Sequence, residues 1–166
     1  MWLESGKLRI DLLPAAQEAE IRALQDRLPE WYHLSEKMWY AADMPDNMMF
    51  KIQHEGKTVG SPELLNIRWY NHKAEMRFWL LPEARGRGLA RNALKMLMDL
   101  VFNTLNFHRL EAEVYDFNKK AIRLIESLGF HKEGVLREAK FFNGRFHDIW
   151  CFGILRQEFL NSFSTD

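Results

Sequence analysis

Three arginines, Arg85, Arg87 and Arg91, crowd the stretch 82–91, PEARGRGLAR, which also carries Gly86 and Gly88. Glycine reaches backbone conformations closed to other residues, so successive N–H groups here can point into one concavity. At a helix N-terminus such a concavity attracts anions. The stretch leaves an apolar run, 74–81, and leads into helical periodicity, so it reads as a turn between a strand and a helix. Cations in a first helical turn oppose the helix dipole, and an anionic ligand reverses that penalty. The alternative is a solvated turn whose arginines point into water. A phosphate loop of the Walker type is excluded, because Gly-Lys-Ser/Thr is absent, and a dinucleotide fingerprint starting at Gly86 would need Gly or Ala where Arg91 stands.

Other residue types set bounds on the chemistry. Cys151 is the only cysteine, which excludes an intramolecular disulfide and a multi-cysteine metal site. It reads as a strand residue of the core and not as a catalytic thiol. His33, His54, His72, His108 and His131 show no metal-ligand spacing, so no metal is expected. His147 and Asp148 invite a dyad reading, against the ordinary one of structural or solvated charges on a hairpin strand.

Arg85-x-x-Gly88-x-Ala90 after a strand resembles the acetyl-CoA pyrophosphate loop of the GNAT N-acetyltransferases, whose pattern is Gln/Arg-x-x-Gly-x-Gly/Ala. A second block, Asn118-Lys119-Lys120-Ala121 followed by Leu124 and then Gly129-Phe130 and Glu133-Gly134, resembles that family's Asn-x-x-Ala/Ser helix at the expected distance. The ending Phe142-Asn143-Gly144-Arg145-Phe146-His147-Asp148, then Ile154-Leu155, is similar to the RimJ/RimL-type branch. The resemblance covers about 50–159.

The resemblance implies acetyl-CoA as co-substrate, with pantetheine lying in a cleft between two splayed strands. Backbone near Trp79, Leu80 and Leu81 would pair with its amides, and the amides of Arg85, Gly86, Arg87, Gly88, Leu89, Ala90 and Arg91 would hold the pyrophosphate. Asn118 would contact the pantetheine arm, beside its other role as a helix N-cap, Lys119 and Lys120 would reach the nucleotide phosphates, and Ala121 belongs to the same cofactor-binding block. Acetyl transfer to an amine needs a proton acceptor, because an alkylammonium has a pKa near ~10. Glu75 matches the glutamate that some branches use as base. Arg77, two residues on, shares its face and would lower its basicity by pairing with it. The tyrosine that many relatives carry one residue after the Leu124 position is Ile125 here. Tyr115, Ser127 or a water would then protonate the leaving thiolate, or it would leave unaided.

The elements that must position these residues follow from periodicity and turn chemistry. Residues 7–13 read as a strand, 14–28 as a helix opened by Pro14, and 30–42 as a second helix with Trp31, Leu34, Met38 and Ala41 at helical spacing. Its aromatics pack on the sheet or form a substrate wall. Residues 48–53 and 57–60 form a hairpin. Pro62 cannot donate to a ladder, so a bulge or break is expected around 61–63, before a strand over 64–70. The strand 74–81 precedes a helix over 88–103 whose stripe is Leu89, Ala93, Leu97, Leu100, Val101 and Leu105. The strand 109–115 should run parallel to 74–81, since a helical crossover joins them. A helix over 119–128 stops at Gly129, and a long hairpin, 130–142 with 145–155, turns at Asn143-Gly144.

This alternation predicts an α/β fold of the GNAT type, a mixed sheet with splayed parallel strands flanked by helices, in a single domain over 1–166. With 166 residues, 47% of them hydrophobic, the chain can fill one core. Lysine plus arginine balances aspartate plus glutamate at 23 each, which argues against nucleic acid and membrane as partners. No leader or spanning segment is recognised, so a cytoplasmic protein is expected, and a homodimer is compatible with the sequence. The expected function is N-acetyl transfer by direct attack of a primary amine: a protein N-terminus, a polyamine, an amino sugar or another small amine. A polyamine would want clustered carboxylates, for which Glu30, Glu36, Asp43 and Asp46 are candidates. The alternative is a non-catalytic acyl-CoA-binding module.

Overall fold

The computed structural model describes residues 2–5, 8–11 and 44–163. The chain forms two compact units, Met1–Trp39 and Tyr40–Asp166. In the first, β1 (Trp2–Ser5) and β2 (Leu8–Asp11) pair antiparallel. The predicted strand over 7–13 is therefore β2, and Trp2–Ser5 is a partner strand that the sequence reading missed. The helices expected over 14–28 and 30–42 lie outside the described residues.

The second unit is built on a mixed sheet of seven strands: β3 (Met48–Met49), β4 (Ile52–His54), β5 (Lys57–Arg68), β6 (Lys73–Leu80), β7 (Arg109–Tyr115), β8 (His131–Phe142) and β9 (Arg145–Leu155). The order is β3-β5-β6-β7-β9-β8, with β4 also on β5. Among the described residues only β6 and β7 pair parallel, as the helical crossover between them predicts. Asn143 and Gly144 both take positive φ, 49° and 76°, as the two-residue turn between β8 and β9 requires.

Pro62 does not interrupt β5, contrary to expectation. Its carbonyl accepts the Phe50 N–H at 3.0 Å, so its nitrogen points the same way, towards the gap between β3 and β4 at Phe50 and Lys51. The missing donor thus falls where the partner strand itself breaks. The Ser61 hydroxyl donates to the Phe50 carbonyl at 2.5 Å and replaces it. The irregularity comes later: Asn66 takes φ 49°, and the register with β6 shifts between Leu65 and Arg68. The strand ends at Arg68, two residues before the predicted end.

Helix α1 (Leu89–Asp99) continues as a wide π turn, Leu100–Thr104. Its buried side is Leu94, Leu97, Met98, Val101 and Phe102, so only Leu97 and Val101 of the predicted buried set are fully inside. The 3.6-residue period is kept but the stripe is rotated, and the π turn then brings two adjacent residues inward. Helix α2 (Lys119–Ser127) carries Ile122 and Ile125 into the same core. A further helix, α3 (Arg156–Phe163), was not anticipated; its Phe159 stacks on Phe102 with centroids 5.0 Å apart. The core joins these helices to one face of the sheet, through Ala74, Met76, Leu110, Ala112, Phe152 and Ile154. By period two, the odd-numbered residues of β6 and β7 lie on the opposite face.

Candidate active site

The site is a cleft produced by register. β6 and β7 pair only over Lys73, Ala74 and Glu75 with Arg109, Leu110 and Glu111. Beyond that rung β6 stays bonded to β5 as far as Leu80, and β7 to β9 as far as Tyr115. The two strands therefore separate with facing backbone edges unpaired to each other.

At the wide end of β6 the glycine turn opens α1. Gly86 and Gly88 have φ 75° and 78°, and Gly88 is the N-cap. A side chain would be strained at either position, although a Cβ there would meet nothing within 4 Å. The amide of Asn92 bonds back to the Gly88 carbonyl at 3.1 Å, so the amides of Leu89, Ala90 and Arg91 precede the helix's own acceptors. The arginines are placed unequally. Arg85 donates through Nε to the Leu80 carbonyl at 3.0 Å, and Arg91 donates to the Ser127 hydroxyl at 2.6 Å, tying α1 to α2. Arg87 is exposed.

The backbone expected to face the cleft is partly engaged. Leu81 donates to the Val59 carbonyl and accepts from the Ala84 N–H, and the Leu80 carbonyl holds Arg85. The stretch unpaired to β7 is thus Met76 to Leu80, with Trp79 exposed at its rim. Across the cleft Asn118 caps α2, its Oδ1 accepting the Ala121 N–H at 3.2 Å. Lys119 and Lys120 begin the helix, and Lys119 also lies over the Trp150 ring at 5.0 Å.

The ion pair expected between Glu75 and Arg77 does not form. Arg77 instead reaches its cross-strand partner Glu63, with contacts of 3.1 and 2.5 Å, because Glu63 is buried and needs a counter-charge. Glu75 accepts a hydrogen bond of 2.9 Å from Asn66 Nδ2, on the bulge of β5. The Asn66 N–H is in turn bonded to Asn47 Oδ1 at 3.2 Å. The His147 and Asp148 dyad does not form either. His147 Nδ1 lies 3.3 Å from Asp116 Oδ1, while Asp148 accepts the Glu138 N–H at 2.9 Å across the hairpin.

Of the proton donors considered, Ser127 donates to the Leu124 carbonyl at 2.7 Å while accepting Arg91. Its proton is committed. Ile125 is buried in the core. Tyr115, at the open end of β7, is exposed and stacks on Phe117, which stacks in turn on Phe142, with Lys140 over the Tyr115 ring at 5.5 Å. The aromatics expected over 30–42 lie outside the described residues, as do Glu30, Glu36 and Asp43. Asp46 is exposed, and its carbonyl accepts the Ile67 N–H.

Sequence reasoning overlooked the row beside Glu75. Arg109, Glu111, Glu113 and Tyr115 alternate along β7 and share the face of Glu75, a period-two signal present in the sequence. Glu75, Arg109, Glu111 and Glu113, with Glu133 and Cys151, wall a cavity of about 270 Å³, and Tyr115 lies beyond it on the strand. Arg109 forks onto Glu133 and donates through Nε to Glu111 at 2.8 Å; Lys73 reaches Glu111 at 3.4 Å. Glu133 is held below the usual carboxylate range by Arg109, and Arg109 is raised by Glu133 and Glu111. The Glu113 carboxyl lies above its usual range, first through desolvation and then through Glu75 and Glu111. The Cys151 thiol is pushed up by burial and by Glu113, which disfavours a thiolate. Among the described residues no group of three or more His, Cys, Asp or Glu side chains is placed to hold a metal, and no helix is long and apolar enough to cross a membrane.

Comparison with known proteins matches these features. The family model described as an acetyltransferase (GNAT) domain matches residues 21–150. Among curated proteins, the spermidine N(1)-acetyltransferase of Vibrio cholerae is 37% identical over 62% of this chain and 60% of its own length, and that of Escherichia coli K12 is 34% identical over 70% and 62%. The chain thus spans about three fifths of the curated relatives it matches. Among solved structures, mutant forms of the spermidine/spermine N-acetyltransferase SpeG from Vibrio cholerae superpose with a TM-score of 0.69 at 32% identity, covering 83% of this chain and 80% of that one. The parallel pair that opens beyond Glu75 and Glu111, the glycine turn at its mouth and these matches place the chain in the GNAT acetyltransferase family, with its mixed α/β fold.

Proposed function

We propose that this chain transfers an acetyl group from acetyl-CoA to a primary amine, by direct attack and without a covalent enzyme intermediate. The observation that carries this reading is the separation of β6 and β7 beyond Glu75 and Glu111, with the glycine turn and the α1 amides at its mouth. The unpaired β6 edge from Met76 to Leu80, with Trp79 and Leu81 at the rim, and the cap residue Asn118 with Lys120 and Ala121 are the groups suited to a pantetheine arm. The turn from Arg85 through Gly86, Arg87, Gly88, Leu89 and Ala90 to Arg91 suits a pyrophosphate. Acetyl-CoA supplies a thioester carbonyl. The chain supplies orientation, a proton acceptor from the glutamate row that begins at Glu75, and Tyr115 as proton donor to the leaving sulfur.

A polyamine is the acceptor best supported. Glu75, Glu111, Glu113 and Glu133 make the sheet face acidic beside the cleft, and the relatives named above are spermidine acetyltransferases. The finer RimJ/RimL-like assignment, with a protein N-terminus as acceptor, rests on the hairpin residues 142–148. A Bacillus subtilis relative named a putative ribosomal N-acetyltransferase, 29% identical over 64% of this chain, favours it less. The buried Ile125 and the engaged Ser127 favour the second reading, a non-catalytic acyl-CoA-binding module. The proposal places the protein in the cytoplasm, requires no nucleic acid, membrane or metal, and is compatible with a homodimer.

The test is thiol release from acetyl-CoA across spermidine, N-terminal peptides, amino sugars and free amino acids, with acetyl-CoA binding followed by calorimetry. Release with spermidine is expected. Binding without release on every acceptor would favour the non-catalytic module, and absence of binding would overturn the assignment of the turn.

A further inference from the structure

Five glutamates, Glu63, Glu75, Glu111, Glu113 and Glu133, border the sheet face beside the cleft. Four of them are held by donors. Glu63 takes Arg77, Glu75 takes the Asn66 amide, Glu111 takes Lys73 and Arg109, and Glu133 takes Arg109. Hydrogen bonds to a carboxylate favour its ionised form and weaken it as a proton acceptor. Glu113 alone of the five has neither a hydrogen bond nor an ion pair among the described residues.

Its place is as distinctive as its lack of a partner. The pairing of β6 with β7 ends at Glu75 and Glu111, and Glu113 is the next residue of β7 on that face, beyond the last rung. It stands opposite Cys151 on β9 and two residues before Tyr115. The groups facing it are Glu75 from β6, Glu111, Arg109 and Tyr115 from its own strand, Cys151 from β9 and Glu133 from β8. Its nearest charged neighbours on the strand and across it, Glu111 and Glu75, are both acidic.

We propose that Glu113, and not Glu75, is the catalytic base, taking the proton of the incoming ammonium at the point where the two strands part. The inference rests on the reading of the chain as an N-acetyltransferase. One proton passes from the ammonium to the Glu113 carboxylate and on to solvent, and the nitrogen lone pair forms the bond to the acetyl carbon. The carbon–sulfur bond breaks with its electron pair on sulfur, Tyr115 gives that thiolate a proton, and the second nitrogen proton restores the Tyr115 hydroxyl. Glu75, fixed by Asn66, acts as a positioning residue, an acidic neighbour that attracts the cationic acceptor and keeps Glu113 able to accept a proton. Desolvation and the two acidic neighbours hold the Glu113 carboxyl above its usual range, which moves it towards the working pH of a base.

The test compares Glu113→Gln with Glu75→Gln in the intact chain. Acetyl-CoA affinity by calorimetry is expected to be unchanged in both. For transfer to spermidine, Glu113→Gln is expected to lower kcat by about 100-fold or more and to abolish the acidic limb of the pH–rate profile. Glu75→Gln is expected to act mainly on KM and to retain that limb. A Glu113→Gln enzyme within about 3-fold of the parent rate, or one that keeps the limb, would overturn the inference. An independent readout needs no acceptor: carbon NMR titration of labelled glutamates, assigned with the same two variants. Glu113 is expected to titrate above an ordinary glutamate near ~4.3, and a value at or below that would refute the proposal. Loss of acetyl-CoA binding by the parent chain would instead count against the acetyltransferase reading.

Discussion

The two walls of the cleft are made on different principles. On the β6 side the chemistry belongs to the backbone: two glycines at φ 75° and 78° and the amides of a helix start. Its side chains are largely engaged elsewhere, Arg85 on Leu80 and Arg91 on Ser127. On the β7 side the chemistry belongs to side chains, with Arg109, Glu111, Glu113 and Tyr115 on one face by strand alternation. A backbone site depends on a few consecutive residues. A side-chain row depends on which strands lie beside it, since partners from β5, β6 and β8 decide which carboxylates are held and which is left.

The strongest way to break this contrast is Gly88→Val. If the backbone makes the anion site, a β-branched residue at φ 78° should reduce acetyl-CoA affinity by about 100-fold, measured by calorimetry, with the fold intact by circular dichroism. Unchanged affinity would move the binding to the arginine side chains. Next in size, Arg109→Ala leaves Glu133 and Glu111 without their shared cation and should lower the unfolding free energy by about 2 kcal/mol, read by denaturant titration. Because the folded value of Glu133 is depressed, its contribution is present above the unfolded value and lost as pH falls through the folded one, so the difference between variant and parent should shrink in acid.

Smaller effects sharpen the comparison. Arg91→Ala removes the tie to Ser127 and should weaken acetyl-CoA by about 5-fold, far less than the glycine change. Ser61→Ala removes the hydroxyl that replaces the Pro62 donor and should cost about 1 kcal/mol with acetyl-CoA affinity unaltered. The smallest effect has the opposite sign. Glu113 has a raised folded value, so between its unfolded and folded values the native chain binds more protons and stability falls as pH rises. Glu113→Gln should therefore raise Tm by about 1–3 °C at neutral pH, and the gain should disappear below the unfolded value.

Much of the wall built from backbone was legible in the chain itself. The glycine turn, Asn118 as N-cap, Gly129 as helix stop, the Asn143-Gly144 hairpin and the parallel pair all lie where their residue types put them. Each is a local conformational preference acting within a few residues. The misplaced expectations share the opposite character. Pro62 stays in a strand because the break in its neighbour absorbs the missing donor. Arg77 leaves Glu75 because a buried Glu63 lies directly across the ladder. Helix α1 rotates its stripe because the sheet and α2 select which side is covered.

Sequence alone thus determined the parts whose physics is short-ranged: φ at glycine, capping, turn type and the alternation that sets Glu111 and Glu113 on one face. Only the tertiary structure decided which of those side chains has a partner. An ion pair or hydrogen bond between strands is fixed by register, and register is set by the whole sheet. The separation of β6 from β7 after a single stretch of pairing is such a decision, and it leaves Glu113 unpartnered at the point where the strands part.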